Sequence, residues 1–91
     1  MEYYFQIKDS VNGNYYNGRN GNGIVWTKDA GGKRYHNIPC CHDDATSILK
    51  HSMGGRGAVI IVKRYKVNDK WLESVLKVVT LHRQDYSNFS Y

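Results

Sequence analysis

The sequence predicts an α+β domain, a mainly antiparallel sheet with one helix packed on one face. Three observations carry this reading. Several short segments alternate apolar and polar residues with the period of a strand. Asn- and Gly-rich turns separate them, and one central stretch repeats its apolar residues at helical spacing. Ninety-one residues leave room for a single core. The domain is expected over residues 1–83, with 84–91 as a polar, aromatic C-terminal tail.

Tyr3, Phe5 and Ile7 alternate with Tyr4, Gln6 and Lys8, the pattern of a half-buried first strand. Asn12-Gly13 then marks a hairpin turn. Tyr15-Tyr16 opens the return strand, which is expected to dissolve into a mobile Asn/Gly loop, residues 17–23, carrying Arg19. Ile24-Val25-Trp26-Thr27 is β-branched and aromatic, a third strand, and Lys33 to Asn37 can form a short fourth. Asp43 or Asp44 can cap a helix from Ala45 to Met53, with Pro39 at or before its start and Gly54-Gly55 ending it. Ala45, Ile48, Leu49 and Met53 share the face that would lie on the sheet.

The segment from Ala58 to Val67 is the strongest strand. Its first half is apolar on both faces, which places it centrally, and its second half sets Lys63, Tyr65 and Val67 against Arg64 and Lys66. Asn68-Asp69-Lys70 is either a hairpin turn or a helix cap. After it, Trp71, Leu72, Val75, Leu76 and Val79 fit a helical stripe, whereas Val78-Val79-Thr80 fits a strand. The balance favours an extended segment from Val75 to His82, preceded by a helical turn. This apolar stretch, Trp71 to Leu81, also suggests a symmetric homodimer.

A composition 41% hydrophobic and 23% charged excludes a disordered chain. The N-terminal residues lack the basic start and apolar run of a signal peptide. No stretch approaches the roughly 20 apolar residues of a membrane span. A cytoplasmic protein without membrane association is the expectation. Adjacent Cys40 and Cys41 read as reduced thiols, because a disulfide between neighbours is strained.

No catalytic motif is present. His36, Cys40, Cys41, His42 and His51 are all zinc-ligand types, but one dense cluster without a second knuckle does not match structural zinc spacing. A Cys–His nucleophile lacks a recognisable orienting group. Gly18, Gly21 and Gly23 lead into a strand, not the helix that a phosphate-binding loop requires. The chain is therefore expected to be non-enzymatic, without cofactor or metal.

The positive signal is cationic and aromatic. Eight Tyr and two Trp accompany 13 Lys+Arg against 8 Asp+Glu, a formal charge of +5. Cations neutralise phosphates and rings stack unpaired bases, so a nucleic-acid-binding protein is predicted, with RNA favoured. Arg19, Lys33, Arg34, Lys63, Arg64 and Lys66 are the candidate phosphate contacts, and Tyr15, Tyr16 and Tyr35 the candidate stacking partners. The alternative is an inhibitor that grips a host protein through its aromatic surface, since Tyr, Trp and Arg also mark protein interfaces. A third reading is a structural virion component.

The motifs "YYNG", "IVWTKD", "KRYHN" and "DDATSIL", with the first strand and its Asn-Gly turn, form a pattern across about residues 3 to 67. It resembles small accessory proteins of tailed phages, matched at Gly13, Tyr15 or Tyr16, Gly18, Trp26, Thr27, Asp29, Tyr35 and Asp44-Ala45. The pattern departs at the inserted Asn/Gly loop and at Cys40-Cys41, and carries no catalytic residue. The resemblance implies a phage-encoded protein acting in the bacterial cytoplasm against host defence, for example a toxin–antitoxin system.

Overall fold

The computed structural model describes residues 2–28, 31–52 and 57–81. They form an α+β fold with elements in the order β1 (Tyr3–Asp9), β2 (Tyr15–Asn20), β3 (Gly23–Thr27), α1 (Ile38–His51), β4 (Ala58–Val67) and β5 (Lys70–Thr80). The five strands make one antiparallel sheet ordered β3-β2-β1-β4-β5. No helix among the described residues is long and apolar enough to cross a membrane.

The turn between β1 and β2 is held by Asp9, whose carboxylate accepts from Val11 N at 2.7 Å, and by Gly13 at φ 75°. Here the turn residues do what their chemistry favours. The segment after Tyr16, by contrast, does not dissolve into a loop. β2 runs to Asn20 with a register shift between Tyr16 and Arg19, so Gly18, at φ 89°, marks an irregularity within a strand. The pairing with β3 keeps the segment ordered despite its poor β-propensity.

β1 and β2 pair at Lys8 and Tyr15 and then diverge, and residues 31–35 enter the gap as a wedge. Lys33 N donates to Tyr16 O at 2.8 Å, and Tyr35 exchanges both backbone hydrogen bonds with Phe5 at 2.8 and 2.9 Å. The expected fourth strand is thus a single bridge. Gly32 sits so close to β2 that an added Cβ would lie 2.7 Å from Tyr16 O.

α1 starts a turn and a half before the expected Asp43–Asp44 cap. Asn37 is the N-cap, its side chain accepting from Cys40 N at 2.9 Å, and Pro39 sits inside the first turn where its missing N–H costs nothing. Cys41 extends the apolar stripe by one turn, so Cys41, Ala45, Ile48 and Leu49 are all buried. Ser52 is the C-cap; the expected Gly54-Gly55 terminus and the core position of Met53 lie outside the described residues. The helix covers Phe5, Ile7, Tyr16, Tyr35, Val59, Ile61 and Val79 on one face of the sheet.

β4 lies between β1 and β5, as its two apolar faces require. Asn68 and Asp69, at φ 51° and 64°, close a two-residue hairpin that carries the chain directly into β5. No helical turn precedes the extended segment. β5 is one strand from Lys70 to Thr80, and its apparent helical stripe reflects a register shift opposite Ile61/Val62 that breaks the two-residue period. The expected domain limit at residue 83 and tail at 84–91 lie outside the described residues.

Candidate nucleic-acid interface

Directly opposed residues on antiparallel strands share a face. Phe5, Lys63 and Ser74 therefore belong to the helix side, and Tyr4, Arg64 and Glu73 to the open side. On the open side a polar network crosses the middle of the sheet. The Tyr15 hydroxyl donates to Glu73, Lys8 Nζ donates to the same carboxylate at 2.9 Å, and Arg64 lies 3.5 Å from it.

Burial alone would push the Glu73 carboxyl up. The hydrogen bonds from Tyr15 and Lys8, with the charges of Lys8 and Arg64, outweigh it and leave Glu73 below its ordinary range. The bond to Glu73 correspondingly holds Lys8 above its own range, against some desolvation. Burial, and then donation to Glu73, raises Tyr15.

Beyond this network, at the end where β1 begins and β4 turns into β5, rings and cations gather. Tyr35 faces the helix, so its neighbour Arg34 emerges on the open side and lies over the Tyr4 ring, 4.3 Å from its centroid. The other neighbour of Tyr4 is Trp71, with centroids 5.3 Å apart and planes tilted by 53°. The two-residue hairpin sets Trp71 opposite Lys66. Trp71 remains 38% exposed, on a groove of about 310 Å³ lined by Glu2, Tyr3, Tyr4, Arg34, His36 and Trp71. On the helix side of the same end, Lys63 lies over the Tyr3 ring at 4.7 Å, and Tyr3 is 49% exposed.

The sequence-predicted residues divide. Arg34, Lys63 and Lys66 belong to this end. Arg64 is turned into the Glu73 network, which makes it structural as much as available. Lys33 is on the opposite side, paired with Asp44 at 3.3 Å and lying over the Tyr35 ring. Arg19 is on β2 rather than a mobile loop, and donates to Ser47 Oγ of α1 at 3.1 Å.

The three candidate stacking tyrosines are a correction. Tyr15, Tyr16 and Tyr35 are 7%, 3% and 6% exposed, which closes their ring faces to a base. Tyr16 packs edge-on against Trp26 in the core. Tyr35 donates to Asp44 at 2.6 Å, and burial, then that bond, raises its hydroxyl far above the tyrosine range. Each ring is more valuable to the fold than to a ligand.

Tyr3 and Trp71, the exposed rings at this end, are not among the sequence candidates, and Tyr4, as closed as Tyr15, lies beneath Arg34 as support. A signal for Trp71 existed: with Asn68-Asp69 as a two-residue turn, Trp71 falls opposite Lys66 and shares its face. Around the helix start, Cys41 is buried and its thiol is pushed up to about 12, mainly by burial, whereas Cys40 is exposed. That is the reverse of the lowered pKa of a reactive thiol. No family model matches the chain, and no curated protein or solved structure matches it either.

Proposed function

We propose that this chain is a non-enzymatic nucleic-acid-binding protein that takes single-stranded RNA at the Arg34–Tyr4–Trp71 end of its sheet. The observation that carries the reading is the half-open Trp71 ring beside a guanidinium already stacked on Tyr4. A base can add to the exposed indole face while Arg34, Lys63, Lys66 and Lys70 meet phosphates. Arg34, Lys63 and Lys70 have no carboxylate partner among the described residues, so they can bind an anion without breaking an ion pair. Among the described residues the side chain of Lys66 is paired with Asp69, at 4.0 Å with Asp69 fully exposed, a pairing worth little. The net charge of +5 supports the same partner. With the resemblance to phage accessory proteins, the proposal extends to a phage-encoded factor acting in the host cytoplasm against an RNA-dependent defence such as a toxin–antitoxin system.

The test is anisotropy of a labelled mixed-sequence RNA oligonucleotide across a salt series. Four phosphate contacts give a slope of roughly −3 in log affinity against log salt. Arg34→Glu with Lys66→Glu should abolish binding in a protein that keeps its thermal unfolding. RNA should also copurify and be removed by RNase. Absence of RNA binding, with salt-insensitive capture of a host protein instead, overturns the reading in favour of a direct protein inhibitor.

A further inference from the structure

We propose that β5 is a self-pairing edge, along which two copies of this chain join antiparallel into one continuous sheet. The two edges of the sheet differ sharply. β3 is five residues long and begins at Gly23, so it offers little to pair with. β5 is eleven residues long and pairs with β4 on one side, with no described strand on the other. Monomeric proteins shorten, charge or cover such an edge. β5 carries Lys77 and a register shift at Leu76, and still exposes Leu72 at 44%, Val75 at 60%, Leu76 at 44% and Val78 at 56%. Val75 and Val78 lie across from Val62 and Ile60, so the open face beside the edge is apolar as well.

A second copy fits this strand better than an unrelated one in two respects. The first is area. Four half-exposed aliphatic side chains from each copy supply on the order of 600 Å² of apolar surface. With the strand backbone, Ser74 and Thr80, the pair passes the roughly 1,000 Å² that a specific interface needs. The second is charge. Antiparallel pairing about a two-fold axis near Val75 sends the Lys70 end of one copy to the Thr80 end of the other. The two basic sheet ends then stand at opposite extremities, which keeps their like charges apart. Both copies of the Trp71 groove stay open, because the indole leans inward over β4 towards Tyr4. The contact is isologous and closes on itself at two.

Sedimentation equilibrium of the full chain at micromolar concentration tests this. The wild type should run at 21 kDa, twice its 10.5 kDa mass. Val75→Lys with Val78→Lys, at exposed positions, should run at half that mass with an unchanged circular dichroism spectrum. Hydrogen exchange gives a second readout that needs no variant: β5 amides should become more protected as concentration rises, and β3 amides should not. A wild-type monomer overturns the proposal, as does a dimer that survives both lysines or an open-ended assembly. A monomer with β5 amides protected at every concentration assigns the edge to the chain's own residues 82–91 and overturns it equally. RNA binding by the monomeric variant would leave the functional reading intact, so the two can fail separately.

Discussion

Tyr15 and Glu73 are 58 residues apart in the chain, on strands separated by two others, yet one hydrogen bond joins them across the open face of the sheet. Lys8 on β1 and Arg64 on β4 converge on the same carboxylate. One acid thus ties four strands together on the side that no helix covers.

Glu73→Gln should therefore destabilise the protein by about 1–3 kcal/mol at neutral pH, since charge-assisted hydrogen bonds lose their anion. The pH dependence follows from direction. Glu73 lies below its ordinary 4.5 in the folded protein, so its contribution is complete above that value and fades as pH falls through the folded one. Lys8 lies above its ordinary 10.5, so its contribution is present at neutral pH and fades only on strong alkalinisation. Urea unfolding at pH 7 and again below pH 4 should show a wild-type loss that the glutamine variant largely lacks.

Leu49→Ala tests the helix–sheet core. Leu49 is fully buried in a cluster with Ile7, Val59 and Ile61. The transfer and cavity contributions together should cost about 2–5 kcal/mol. A loss under half a kcal/mol in chemical denaturation would show that this face is not the core.

The alternation of Phe5 and Ile7 with Tyr4 and Gln6 made β1 legible as a strand but not its burial, since Tyr4 and Gln6 are covered too, and Ala45, Ile48 and Leu49 made the helix legible. Boundaries failed where local chemistry is ambiguous. Cys41 does not announce itself as an apolar stripe residue, and the Asn37 cap competes with Asp43 and Asp44. The β5 sequence carries a helical spacing at Leu72, Val75, Leu76 and Val79 because the register shift at Ile61/Val62 inserts an extra residue into the two-residue period. Of the cations singled out by charge, Arg34, Lys63 and Lys66 lie together at one end of the sheet. Ring exposure was not legible, since Tyr15, Tyr16 and Tyr35 sit beside charged or polar residues in the chain but are buried by the wedge and the helix.

Gly32→Ala should cost about 1–3 kcal/mol through overpacking. Its methyl would lie 2.7 Å from Tyr16 O and 2.9 Å from Tyr15 Cβ, backbone and near-backbone atoms that cannot swing away. Thermal unfolding is the measurement, and Gly21→Ala, where nothing lies within 4 Å, is the control expected to change little.

Asp69→Gly should move the other way. Asp69 is held at φ 64° in the second position of the β4–β5 hairpin, where Asn-Gly is the favoured pair. Relief of that left-handed conformation should stabilise the protein by about 0.5–1 kcal/mol, because the carboxylate lost is fully exposed and only 4.0 Å from Lys66, a pairing worth little. A lower denaturation midpoint would contradict this account of the turn.

Trp71 offers the most direct view of the proposed site, because the chain has two tryptophans and the other, Trp26, packs against the core beside Tyr16. In a Trp26→Phe variant, emission excited at the red edge where the eight tyrosines do not absorb comes from Trp71 alone. Titration with single-stranded RNA should quench it, since a base stacked on the exposed indole face provides an efficient non-radiative route. Trp71→Ala should weaken single-strand binding by about 1–3 kcal/mol, the loss of one stacked base, and leave the salt slope unchanged. Arg34→Ala should do the complementary thing, lowering the slope by about one while reducing affinity for every sequence alike. If RNA binds without quenching Trp71, and Trp71→Ala binds as the wild type does, the nucleic acid lies elsewhere on the basic surface and the Arg34–Tyr4–Trp71 stack is structural.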